Sequence, residues 1–152
     1  MLIFKYGNIL DSKCYALVNT VNIVGVMGKG IALQFRNEFP HNYSIYRKAC
    51  QYHRLKVGEL LMVKDISMRL GERLIINFPT KTHWRLPSEY AYIEQGLTSV
   101  STLIADQHIK HIAIPALGCG NGSLDWKKVR PMICQHLTKL DALIEIYEPA
   151  DG

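Results

Sequence analysis

Hydrophobic and polar positions along the chain fall into short apolar runs separated by amphipathic stretches. Leu2 to Tyr6 reads as an opening strand closed by Gly7-Asn8, and Tyr15 to Thr20 as a short buried strand. A loop with glycines at 25, 28 and 30 follows, after which Ile31, Leu33, Phe35 and Phe39 recur at helical spacing until Pro40 ends the turn. Tyr43 to Tyr52 continues helically. Leu60 to Lys64 and Leu74 to Phe78 read as two strands, and the turn Arg69 to Arg73 between them predicts a hairpin. Pro79 to Leu86 is irregular. Pro87-Ser88-Glu89 opens the clearest helix, with Tyr92, Ile93, Leu97, Val100, Leu103 and Ile104 on its apolar face. His111 to Pro115 is a strand that runs into Ala116 to Ser123. Asp125 is placed to cap a helix holding Val129, Ile133 and Leu137, and Ala142 to Tyr147 closes the set.

Strands that alternate with helices predict a three-layer α/β/α arrangement, with helices on both faces of a mixed, largely parallel sheet. At 152 residues, one domain over 1–152 is expected, standing alone or as the amino-terminal part of a longer protein. Ligands of such sheets settle beyond the carboxyl ends of the strands. Both glycine-rich loops leave a strand and enter a helix, so both are expected to border one cleft.

Composition narrows the class. No apolar run reaches the roughly 18 residues of a membrane span. Met1-Leu-Ile-Phe-Lys5 passes directly into a strand pattern without the features of a signal peptide, so a cytoplasmic location is expected; separately, the chain is expected to be a monomer. Cys14, Cys50, Cys119 and Cys134 are scattered and form no C-x-x-C pair, which predicts free thiols. The six histidines form no ligand cluster by spacing, and no metal is expected. A net charge of +5 favours polyanionic company.

Phosphate is held where side chains are absent, backbone N–H groups converge and a helix begins. Gly28, Gly30, Gly118, Gly120 and Gly122 suit such a cradle, although glycines also serve plain turns. Neither loop has Walker spacing or matches G-x-G-x-x-G, so nucleotide hydrolysis is not indicated.

Three stretches at their mutual distances resemble the macrodomain signatures: Asn19-Thr-Val-Asn22, the loop from Gly25 to Leu33, and the stretch from Ile114 to Gly122. Within that family, Asn77-Phe-Pro-Thr-Lys-Thr-His-Trp-Arg85 and Gly118 to Trp126 are most similar to DarG antitoxin macrodomains and the related terminal ADP-ribose glycohydrolases. The resemblance runs from Leu2 to Tyr147. It implies a macrodomain fold that binds ADP-ribose, with Leu117, Gly118, Cys119, Gly120, Asn121 and Gly122 around the diphosphate. Gly28, Gly30, Ile31, Ala32 and Thr80 would complete the pocket, and Asn22 would contact the distal ribose unless it is simply a turn asparagine. Asn8 stands where many family members carry an adenine-binding aspartate, with Ile9 beside it. Tyr147 would stack on adenine, or else serve as core or rim.

Lys81 separates an enzyme from a reader of the modification. In the resembling glycohydrolases the lysine after Asn-Phe-Pro-Thr acts at the anomeric carbon, as nucleophile or proton-transfer group, and no cofactor is involved. Burial or cationic neighbours such as Arg85 would have to lower its pKa, and the alternative is a solvated loop lysine. The human-type relatives also use an aspartate in the second loop, where this chain has Asn121; Asp125 farther on is at least as well explained as a helix cap. The DarG resemblance implies removal of ADP-ribose from thymidine in single-stranded DNA, against a DarT-type toxin. His83, Trp84 and Arg85 would then meet the DNA, or Trp84 would merely anchor its loop. A passive reader and an ADP-ribose 1″-phosphate phosphatase are the competing functions.

Overall fold

The computed structural model describes residues 1–149. Six strands form one sheet: β1 (Leu2–Lys5), β2 (Ala16–Asn22), β3 (Leu61–Ser67), β4 (Gly71–Lys81), β5 (His111–Ile114) and β6 (Leu143–Tyr147). Their order is β1-β6-β5-β2-β4-β3, parallel throughout except for the antiparallel β3/β4 pair. That pair is the hairpin expected around Gly71, which turns at φ +81°.

Strand alternation sorts the core onto two faces. Ala16 and Val18 of β2, Ile76 and Phe78 of β4, and Ile112 and Ile114 of β5 pack under α3 (Tyr90–Asp106) and α4 (Trp126–Leu137). Their neighbours Leu17, Ile75 and Ala113 face the other way, towards Phe35 and Phe39 at α1 (Gly30–Glu38). α2 (Pro40–Gln51) completes that layer through Tyr46 and Cys50. The helix periodicity is met closely: Val129, Ile133 and Leu137 of α4 are all fully buried, as are Ile93 and Leu97 of α3. Gly96 lets α3 lie directly on the Phe78 ring, because a Cβ there would overlap the ring atoms.

The stretch after Phe78 departs from the sequence expectation. β4 continues through Pro79 and Thr80 to Lys81 instead of dissolving into a loop. β3 begins only at Leu61, opposite Asn77, so beyond Asn77 β4 is an edge and a proline costs no bond to a strand on that side. On its other side β4 keeps to β2, with Val21 opposite Pro79 and Asn22 opposite Lys81. Thr80 is the extra residue of a bulge, and the bulge brings Lys81 level with Asn22. Only 82–89 remains irregular before α3.

Candidate active site

The carboxyl ends of β2, β4 and β5 open into a cleft of about 780 Å³, within the range of small-molecule sites. Both glycine loops border it, as expected. They touch each other as well: a Cβ at Gly30 would lie 3.2 Å from Asn121 Nδ2.

Asn22 builds the first loop. Its Oδ1 accepts the N–H groups of Val24, Gly25 and Val26 at 3.1, 3.2 and 3.3 Å, and Nδ2 donates to the Val26 carbonyl at 2.8 Å. The Tyr46 hydroxyl, 2.7 Å from the Asn22 carbonyl and 2.9 Å from Oδ1, braces the same residue. Burial pushes that phenol far above its ordinary range, so it remains a donor. One of the two Asn22 amide N–H bonds is left for a ligand, and Asn22 lines the cleft with Gly28, Ile31 and Ala32. Beneath the loop Asn19, Asn42 and Asn77 form a fully buried amide cluster; Asn19 Nδ2 reaches both Asn77 Oδ1 (3.3 Å) and Met27 Sδ (3.9 Å).

The second loop leaves β5 with Gly118 and Gly120 at φ +73° and +75°. Gly118 is also pressed by Leu124, and Gly122 by the Ser88 side chain, so neither site has room for a Cβ. Gly118, Cys119, Gly120, Asn121 and Gly122 all line the cleft, while Leu117 lies fully buried beneath them. Burial pushes the Cys119 thiol up to about 11, which keeps it protonated. Asp125 caps α4, its Oδ1 accepting Lys127 N–H at 2.9 Å, and it does not line the cleft.

Thr80 and Lys81 enter from the bulged end of β4. Burial first, and then the ammonium of Lys29, holds the Lys81 amine below the ordinary lysine range. The sequence pointed to Arg85 as that second cation; Arg85 instead stacks on Trp84, its guanidinium carbon 4.6 Å from the ring centre. Lys81 Nζ has one long donor contact, 3.5 Å to the Trp84 carbonyl. His83 organises the rim behind it: its Nδ1 accepts Arg85 N–H at 3.0 Å, and its ring lies 5.2 Å from that of Trp84. Trp84 is 43% exposed and lines the cleft with Arg85, whereas His83 does not.

The proposed adenine residues lie outside this lining. Asn8 caps a short turn, accepting Leu10 N–H at 2.9 Å and donating to Gln34 at 2.7 Å, and Ile9 is buried core. Tyr147 is nearly buried, with its hydroxyl 3.3 Å from Glu145. The sequence reading missed Lys29, which lines the cleft from between Gly28 and Gly30; a cation flanked by glycines at a helix start is the signal that marks it. Among the described residues no three metal-ligating side chains cluster, and no helix is long and apolar enough to cross a membrane.

A six-stranded mixed sheet between helix layers, with two facing glycine loops at the carboxyl ends of its strands, defines the class, and the macro domain family model matches residues 18–133. The chain belongs to the macrodomain family. It is 45% identical, over a 153-residue alignment that takes in all of this chain, to a DNA ADP-ribosyl glycohydrolase of Thermus aquaticus, of which it covers 42%. It superposes on the macrodomain of Mycobacterium tuberculosis DarG with a TM-score of 0.94 at 43% identity, covering 99% of both chains. With Thermosipho africanus DarTG in complex with ADP-ribose the TM-score is 0.91 at 35% identity, over 99% of this chain and 42% of that one. The chain thus spans 41–43% of the length of the curated relatives it matches.

Proposed function

We propose that this chain is an ADP-ribosyl glycohydrolase that removes ADP-ribose from thymidine bases of single-stranded DNA and so opposes a DarT-type toxin. The observation that carries the reading is Lys81, a partly buried amine beside two glycine loops, held below its ordinary pKa. A protonated lysine has no lone pair to give, and a lowered pKa raises the neutral fraction at any given pH. The Thermus aquaticus relative, a DNA ADP-ribosyl glycohydrolase, and the solved ADP-ribose complex of Thermosipho africanus DarTG support the same reading.

In this reaction the loop from Gly118 to Gly122 holds the diphosphate through backbone N–H groups, and Asn22 and Thr80 face the distal ribose. Fixing the diphosphate and the distal ribose brings the anomeric carbon to Lys81, so binding is converted into orientation. The bond from the anomeric carbon to the base nitrogen breaks and its electron pair leaves with the base. A water oxygen becomes the new hydroxyl on that carbon, and a water proton ends on the base nitrogen. Lys81 offers its lone pair to the carbon or to the attacking water. Trp84, with Arg85 stacked on it, presents a flat face at the cleft mouth that suits an unpaired base.

The test is incubation of the protein and its Lys81→Ala variant with a thymidine-ADP-ribosylated oligonucleotide. Wild type is expected to release ADP-ribose and restore the unmodified strand, and the variant to release none. A silent wild type, or a variant of equal rate, refutes the reading. Binding of ADP-ribose without release indicates a passive reader, and phosphate release from ADP-ribose 1″-phosphate a phosphatase.

A further inference from the structure

The cleft lining contains three cationic residues, Lys29, Lys81 and Arg85, and no aspartate, glutamate or histidine. Lys81 projects from β4 and Arg85 stacks on Trp84. Lys29 has no such task. It is exposed, and its side chain makes no hydrogen bond or ion pair among the described residues. It also stands immediately before α1, whose first turn has neither a side-chain cap nor an acidic residue. The open N–H groups of that turn belong to residues that include Ile31 and Ala32, both of which line the cleft.

We infer that Lys29 is a phosphate-holding side chain of this cleft, working with the uncapped start of α1 from the wall that carries the first glycine loop. Three like charges gathered without a carboxylate are self-repulsive until a polyanion arrives. A compact ammonium on a flexible stem suits phosphate as a point charge, and the positive end of a helix adds to it. The phosphate has two possible sources, the diphosphate of ADP-ribose and the backbone of the strand that bears it. Lys29 has a second effect, since its ammonium disfavours the charged form of Lys81. This inference rests on the nucleotide reading of the cleft but not on turnover.

The experiment titrates wild type, Lys29→Met and Lys29→Arg with free ADP-ribose and, separately, with an unmodified single-stranded oligothymidylate. Lys29→Met is expected to weaken at least one ligand on the order of fivefold, with Lys29→Arg near wild type. Loss confined to ADP-ribose assigns the contact to the diphosphate, and loss confined to the oligonucleotide assigns it to the strand. In parallel, the pH dependence of Lys81 acetylation, read by mass spectrometry, is expected to move to higher pH in Lys29→Met and stay in place in Lys29→Arg. Unchanged affinity for both ligands in Lys29→Met, equal loss in both variants, or no binding by wild type overturns the inference. If Lys29→Met weakens binding while wild type releases no ADP-ribose, the glycohydrolase reading fails and this one stands. Normal release with Lys29 dispensable for binding gives the reverse.

Discussion

Lys81 and Asn22 sit opposite each other on neighbouring strands and do different kinds of work. Because the Lys81 pKa is lowered, its neutral fraction rises with pH and reaches completion earlier than for a free lysine. The release rate is therefore expected to climb with pH and level off above the lowered pKa, which a kcat profile between pH 6 and 10 measures. Lys81→Met, of similar length and without a proton to exchange, is expected to keep ADP-ribose affinity and lose about 100-fold or more in rate. Asn22 is committed to its loop by four acceptor contacts and one donor contact. Asn22→Ala is expected to cost about 1–3 kcal/mol in urea unfolding, because several loop N–H groups and a buried phenol lose an acceptor. Lys81 was legible in the sequence only through the motif around it, since nothing in one lysine announces burial. Lys29 could be marked by its flanking glycines at a helix start, but its effect on a residue 52 positions away acts through space, which linear spacing does not carry.

The elements were largely legible because hydrophobic period and burial agree. β2, buried along nearly its whole length, and α4, with its four-residue apolar spacing, read directly from the chain. The end of β4 did not, because proline is a strand breaker by composition and a tolerated residue at an edge. Only the tertiary fact that β3 reaches no further along β4 than the Leu61–Asn77 pair makes Pro79 harmless. The contact between α3 and Phe78 was equally hidden, as a glycine within a helix normally reads as a weakness. Gly96→Ala is expected to destabilise the fold by about 1–3 kcal/mol through overpacking, and adding Phe78→Leu to return much of that loss. Chemical denaturation of the single and double variants checks both.

For the molecule as a whole, the net charge of +5 gains meaning from where some of it stands. Three positive side chains meet in one cleft whose lining has no acid. If Lys29 and Arg85 both neutralise strand phosphates, affinity for an ADP-ribosylated single strand falls with salt at a log–log slope of about −1.4. Titrations at several salt concentrations measure it, and Arg85→Ala and Lys29→Met each lower the slope if the residue reaches the strand. The same lining bears on acid tolerance. Hydrolases that pair an acid with a base lose rate on both sides of an optimum, giving a bell. Here the wall holds no aspartate, glutamate or histidine, and burial pushes the Cys119 thiol up to about 11. Activity against pH should trace a ramp with one shoulder, and a nucleotide bound without turnover should be gripped as firmly at pH 5 as at pH 7.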